Sequence, residues 1–287
     1  MAPTETGSAS APASSANLGP GFDCLAVALE LRCRVEAVPA ASWRVEHDGD
    51  QRHDGATDDA VLAAAQRAVG EDRPLLLRVE NQIPIGRGLG SSAAAHAAGA
   101  LAAWRAYGHE PSRLRLFELV AGMEGHPDNA AAAVYGGLVL VAGSEPHRLP
   151  WNPVWRLVLA VPDSRLPTNH ARAALPTSYP TEVVVRSLAR TAALVAGLLT
   201  GDAELLAAAS GDELHEEPRR RIRPDVTELV QVARTSGAAH AAWSGAGPSV
   251  VAMVAADRID KVVDALRRHL DGRGIVLIPD VATAGAE

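Results

Sequence analysis

The sequence predicts an α+β protein of two domains, and three observations carry that prediction. At 287 residues the chain exceeds a typical single domain but is short for three. A short β-like run over residues 75–79 leads into a glycine-rich loop and then an alanine-rich helix, a strand–loop–helix order. Beyond a Pro/Trp segment at residues 150–155, a new series of strands and helices begins. Its tail reads strand, glycine turn, strand, helix, strand, which suggests a small antiparallel sheet backed by helices. The division falls at residues 1–153 for the N-terminal domain and 154–287 for the C-terminal one.

Composition bounds the partners. Apolar residues make up 47% of the chain and aromatics only 3%, so the core is one of aliphatic and alanine packing. The net charge of −7, with no basic run and no arginine–aromatic interleaving, argues against a nucleic-acid surface and for small-molecule partners. Lys261 is the only lysine and lies in a helical stretch near the C-terminus, which argues against a lysine-dependent phosphate loop or a lysine Schiff base. Cys24 and Cys33 are too few and too close for a disulfide framework or metal knuckle, and they fit a reducing compartment. Residues 1–15 are small and polar with no apolar core, unlike a signal peptide, and no run is expected to reach membrane-spanning length. A cytoplasmic protein with no membrane partner is the expectation.

Taken in order, residues 14–23 read as a loop, since Asn17, Gly19, Pro20 and Gly21 are turn formers, and an apolar stretch follows over 24–38. A charged, loop-like patch over 46–59 precedes an alanine-rich helix, and the 75–79 strand enters the loop beginning at Gly86. The next helix is predicted over 91–107, with Leu101 and Trp104 at helical spacing and Gly108 as its stop. Ser112 caps a further helix through Met123. Then come Glu124-Gly125-His126-Pro127-Asp128-Asn129, another alanine-rich helix, and a strand over 138–141. In the second half a strand is predicted over 157–161, two helices after Pro180, and another helix over 225–235. The closing series turns at Ser244-Gly245-Ala246-Gly247-Pro248.

The loop Gly86-Arg87-Gly88-Leu89-Gly90-Ser91-Ser92 carries the chemistry. Glycine at every second position removes Cβ atoms, so successive backbone N–H groups can turn inward and approach phosphate oxygens. The helix that follows adds the partial positive charge of its N-terminus, which suits a triphosphate with no lysine partner. Ser91 and Ser92 offer hydroxyls to phosphate or Mg²⁺. The spacing is G-x-G-x-G-S-S rather than the G-x-G-x-x-G of a dinucleotide fold, and the loop does not follow a first strand.

Three segments, Pro12-Ala13-Ser14-Ser15-Ala16-Asn17-Leu18-Gly19-Pro20-Gly21-Phe22-Asp23, residues 84–94, and Trp243-Ser244-Gly245-Ala246-Gly247-Pro248-Ser249, together resemble the three motifs of the GHMP kinases. The first segment and residues 124–129 resemble the homoserine kinases within that family. The likeness runs from about Ala11 to the C-terminus. It implies an N-terminal domain with a left-handed β-α-β crossover carrying the phosphate loop, and a ferredoxin-like C-terminal domain whose glycine turn approaches that loop. It also implies ATP-dependent phosphorylation of homoserine in threonine biosynthesis, with Mg²⁺, and a homodimer.

By that resemblance, Pro84, Ile85, Gly86, Arg87, Gly88, Leu89, Gly90, Ser91, Ser92, Ala93, Ala94, Gly245 and Gly247 hold the nucleotide, and Ser92 and Glu124 hold Mg²⁺. The amino-acid site falls on Asn17, Asp23, His126, Asn129, Arg172 and Arg219. A zwitterion needs a carboxylate for its ammonium, here Asp23, and a guanidinium for its carboxylate, here Arg172 or Arg219. His215 reads as structural. No general base is evident: Asn129 orients the hydroxyl, and Asp128 stays open as a candidate base.

Three departures from the family pattern stand out. Gly7-Ser8-Ala9-Ser10-Ala11 occupies the place of a β-branched strand, so that strand is expected to be weak or absent. Ala26 replaces a glycine, and Glu217 stands where an aromatic-rich stretch is usual. The alternatives are a kinase for another hydroxyl amino acid such as threonine, or a non-catalytic nucleotide or amino-acid binding relative.

Overall fold

The computed structural model describes residues 6–48 and 59–287. Most of the charged patch expected over 46–59 lies outside the described residues. The chain opens with β1 (Gly7–Ala16) and β2 (Leu25–Pro39), which pair antiparallel from Gly7 opposite Ala37 to Ala16 opposite Ala26. Then follow β3 (Arg44–His47), α1 (Ala60–Val69), β4 (Leu75–Asn81), α2 (Ser91–Ala106), α3 (Arg113–Glu124), α4 (Asp128–Tyr135), β5 (Leu138–Ala142) and β6 (Glu145–Leu149). The six strands form one sheet in the order β3-β4-β2-β5-β6, with β1 also on β2. Asp59 and Ser112 cap α1 and α3 by accepting from Leu62 N and Arg115 N, the usual remedy for unpaired N–H groups at a helix start.

The strand expected to be weak is instead ten residues long and fully paired, and residues 14–16, expected in a loop, belong to it. The reason is packing. A Cβ at Gly7 would lie 2.0 Å from Ala102 O and 2.4 Å from Ala106 N, so small residues here let α2 lie directly on the strand. On its other flank α2 meets α1 at Gly99, where a Cβ would come within 2.6 Å of Val61 O. Consequently α2 is buried nearly all round, and alanine is what fits. Low β-propensity is overridden by this close approach.

The second sheet begins at β7 (Trp155–Pro162). After it come α5 (Thr168–Ala173), α6 (Thr181–Thr200), α7 (Ala203–Ala208), α8 (Glu216–Arg220), α9 (Pro224–Thr235), β8 (His240–Trp243), β9 (Val250–Ala255), α10 (Ile259–Leu270) and β10 (Gly274–Leu277). The strand order β10-β7-β9-β8 with every pair antiparallel is the ferredoxin-like arrangement. Its helices α9 and α10 cover one face around Leu229, Val262 and Leu266. The α6–α7 hairpin packs elsewhere, with Leu194, Leu198 and Leu206 in the larger core that includes the first sheet.

One expectation fails at α6. Within its 20 residues an 18-residue window reaches a mean hydropathy of 1.5, long and apolar enough by composition to span a membrane, because Glu182, Arg186 and Arg190 are the helix's only charged residues. Leu194, Gly197 and Leu198 pack inward while Val184, Val185 and Leu188 are exposed. Cys24 and Cys33 are free; burial above all pushes the first up to about 11 and the second to about 12, so both are unreactive thiols.

Two helical glycines should respond oppositely to the same change. Gly99→Ala forces a methyl against Val61 O and is expected to destabilise by about 1–3 kcal/mol. Gly122→Ala, with nothing within 4 Å of its Cβ position, should stabilise α3 by up to about 1 kcal/mol. Thermal melts of the two variants beside the parent check both signs; equal shifts would refute the close approach of α1 and α2.

Candidate active site

The loop between β4 and α2 is shaped by three left-handed glycines, Gly86, Gly88 and Gly90, with φ of 70°, 74° and 63°. Side chains are also excluded by what lies behind. A Cβ at Gly88 would sit 2.2 Å from Ser244 O, and one at Gly90 2.0 Å from Ser14 Oγ. Every loop carbonyl from 86 to 89 is engaged from that side: Gly86 O by Leu166 N (3.2 Å), Arg87 O by Ser249 N (3.3 Å), Gly88 O by Ser244 Oγ (2.7 Å) and Leu89 O by Ser14 N (3.0 Å). With its acceptors turned away, the loop keeps its N–H donors for the cavity. Gly90 starts α2 without a side-chain cap, so the first-turn N–H groups join them.

At the other end of the cavity, residues 17–24 turn tightly. Asn17, Leu18 and Asp23 take left-handed φ of 68°, 53° and 56°. Asn17 sustains this turn, donating from Nδ2 to Gly245 O at 2.9 Å and accepting from Asp23 N at 3.0 Å. Two buried histidines grip the same turn, His215 Nε2 at 2.8 Å from Gly19 O and His240 Nε2 at 2.9 Å from Leu18 O. Asp23 is thereby presented to Arg172, whose two terminal nitrogens donate to it at 3.0 and 2.7 Å. Those bonds hold the Arg172 pKa above its ordinary value. Arg219, buried alongside, is pushed down to about 10 by burial and then by the neighbouring Arg172 charge. Both guanidinium carbons lie 5.7 Å from the Phe22 ring centre.

Between these ends, α3 stops at Glu124 because Gly125 is left-handed, and the chain re-enters a helix at Asp128. Ser92 Oγ donates to Glu124 Oε2 at 2.9 Å, while His96 Nδ1 lies 2.8 Å from Glu124 Oε1. His126 Nδ1 is 2.7 Å from Asp128 Oδ1, which also accepts from Asn129 N at 2.7 Å. Burial alone would lower the His126 pKa, but the Asp128 bond and charge, with Glu124, outweigh it and hold it above the ordinary value. Asn129 Oδ1 accepts from Ser14 Oγ at 2.7 Å.

Asn17, Asp23, residues 85–92, Glu124, His126, Asp128, Asn129, Arg172, Arg219 and Gly245 all line one cavity of about 330 Å³. Pro84, Ala93, Ala94 and Gly247 do not. Ala93 and Ala94 face the core as α2 turns inward, and Gly247 backs the loop, its carbonyl 2.8 Å from the Cβ position of Gly88. Sequence reasoning missed Ser14, His96, Asn81 and the His47–Asp59 pair, which meets at 2.6 Å in the cavity wall. His96 had a signal, four residues after Ser92 and so on the same helix face; His47 and Asp59 had none.

The GHMP kinases N terminal domain model matches residues 58–137, and the GHMP kinases C terminal model matches residues 194–272. A homoserine kinase of Thermus thermophilus is 42% identical over 93% of this chain and 94% of its own length. One of Desulfitobacterium hafniense is 36% identical over 92% of each. The crystal structure of homoserine kinase from Cytophaga hutchinsonii superposes with a TM-score of 0.86 at 25% identity, covering 100% of this chain and 98% of that one. A mevalonate kinase from L. major shares the fold, with a TM-score of 0.75 at 18% identity.

The grip of His240 on the 17–24 turn has a pH signature. Burial pushes its pKa down from 6.5 to about 4. The unfolded chain therefore takes up this proton first, and stability is lost as pH falls from about 6.5 through about 4, by on the order of 3 kcal/mol. His240→Gln should show a smaller loss over that range in denaturant melts; identical acid sensitivity would count against the assignment.

Proposed function

The chain belongs to the GHMP kinase family, and from that premise we propose that it transfers the γ-phosphoryl group of ATP to the side-chain hydroxyl of L-homoserine, a step of threonine biosynthesis. The observation that supports it best is one cavity holding both an N–H-lined loop and an opposed Asp23–Arg172 pair. A zwitterionic amino acid can replace each partner of that pair with its own carboxylate and ammonium, leaving the net charge unchanged. An amine or an acid alone leaves one partner unmatched.

In this reading the loop amides and the α2 N-terminus receive the ATP phosphates, and the paired oxygens of Ser92 and Glu124 suit a hard cation such as Mg²⁺. When bound, that cation neutralises charge on the phosphoryl oxygens. Asp23 takes the substrate ammonium, and Arg172 and Arg219 take its carboxylate. Asn129, whose Oδ1 is held by Ser14, has its Nδ2 to orient the hydroxyl. Asp128 Oδ1 holds His126 Nδ1 and the Asn129 N–H, and in this reading the carboxylate fixes that segment and removes no proton. Catalysis then rests on positioning and electrostatic stabilisation. The division at residues 153 and 154, a homodimer and a cytoplasmic location belong to the same proposal.

Homoserine-dependent ADP release is the direct assay, with threonine and serine as comparison substrates; turnover of another amino acid but not homoserine would overturn the substrate assignment. Arg172→Ala is expected to raise the homoserine KM by about a hundredfold while sparing ATP affinity. Asp128→Asn should cost no more than about tenfold in kcat, whereas a loss of several orders of magnitude with binding intact would make Asp128 the base.

A further inference from the structure

Behind the amino-acid end of the cavity lies an imidazole that the proposed chemistry does not use. His215 is fully buried just before α8, with its ring stacked on Phe22 at 5.0 Å and 24°. Its Nε2 is 2.8 Å from Gly19 O, and its Nδ1 is 2.8 Å from Arg219 Nη1. Together these contacts fix where the proton is. A carbonyl only accepts, so Nε2 carries the hydrogen; a guanidinium only donates, so Nδ1 must offer its lone pair. The ring is therefore a neutral bridge between the turn that presents Asp23 and the guanidinium beside it. A second proton, on Nδ1, would set N–H against N–H and bring two cations into contact.

We propose that His215 is a positioning residue for substrate binding, holding Arg219 toward the amino-acid site only as the neutral Nε2–H tautomer and releasing it when protonated. This rests on the reading of Arg219 as a receiver of the substrate carboxylate. Arg219 is fastened on its inner side, with Nη1 also donating to Gly245 O at 3.1 Å and Nε to Ala171 O at 3.4 Å. Its Nη2 has no partner among the described residues and is left for a ligand.

The charged groups around the ring set the direction of the effect. Asp212 has Oδ2 3.7 Å from His215 Nε2 but spends that oxygen on the backbone N–H groups of His215 and Glu216. Asp23 faces the ring from the opposing turn, Arg219 from the next turn of α8, and the Glu216 carboxyl points to Trp243 N–H. Burial lowers the His215 pKa most; Asp212 pulls it back, Arg219 lowers it again, and it lies below the ordinary histidine value. The neutral form thus persists through neutral pH, and the grip on Arg219 is lost only on acidification.

His215→Phe keeps the stack on Phe22 but has no ring nitrogens. The homoserine KM is expected to rise about tenfold or more, with ATP affinity by calorimetry unchanged, as for loss of one bond to a charged group. Arg219→Ala should raise it too, and the double variant should be no worse than Arg219→Ala, because the histidine acts through the arginine. In the unmodified chain the homoserine KM should climb on acidification below the ordinary histidine range of about 6.5, and His215→Gln, neutral at every pH, should diminish the climb. An unchanged homoserine KM in Arg219→Ala would sink the carboxylate reading itself. If Arg219→Ala raises KM and His215→Phe does not, or if the two effects add, the role of His215 is overturned. Should His215→Phe not fold, the pH profiles decide: a flat profile in the unmodified chain, or a climb undiminished in His215→Gln, rejects it.

Discussion

The site depends on one place where backbone meets backbone, the contact of Gly88 with Ser244. No side chain fits between them, since a Cβ at Gly88 would fall 2.2 Å from Ser244 O, and Ser244 Oγ donates to Gly88 O at 2.7 Å. The glycine loop of the first sheet is thus seated on the glycine turn of the second. The same turn supplies Gly245 O to both Asn17 and Arg219. One turn therefore registers the loop at one end of the cavity against Asn17 and Arg219 at the other. Phosphoryl transfer between two small molecules needs that registration more than it needs any reactive side chain.

Electrostatics follow from the same construction. With the loop carbonyls engaged from behind, the cavity receives donors without a lysine, and Arg172 and Arg219 bring fixed positive charge to its other end. Arg172 is neutralised by Asp23 in place, and Arg219 is buried among carbonyls and an imidazole. Such preorganised groups need little rearrangement when charge arrives.

Much of this was legible in the sequence where chemistry imposes a local pattern. The alternate glycines of the loop, the Ser112 cap and the closing strand–turn–strand–helix–strand series each encode their own conformation, and each appears in the structure. The failures share a different cause, because they depend on what packs against a segment. Residues 7–11 look unlike a strand until Ala102 and Ala106 are seen to lie on them. That Asn17 also braces its own turn, through Gly245 O and Asp23 N, depends on a contact remote in sequence. The partners of His215, Gly19 O and Arg219 Nη1, likewise come from separate segments. His47 and Asp59 come together across a stretch whose sequence gives no hint of the pairing.

The scarcity of lysine has a practical side. Lys261, exposed on α10, carries the only side-chain amine, and α10 contributes no residue to the cavity wall. Amine-directed coupling therefore has a single side-chain address, on a helix that covers the second sheet. A dye or a solid support attached there would leave the cavity untouched by the label.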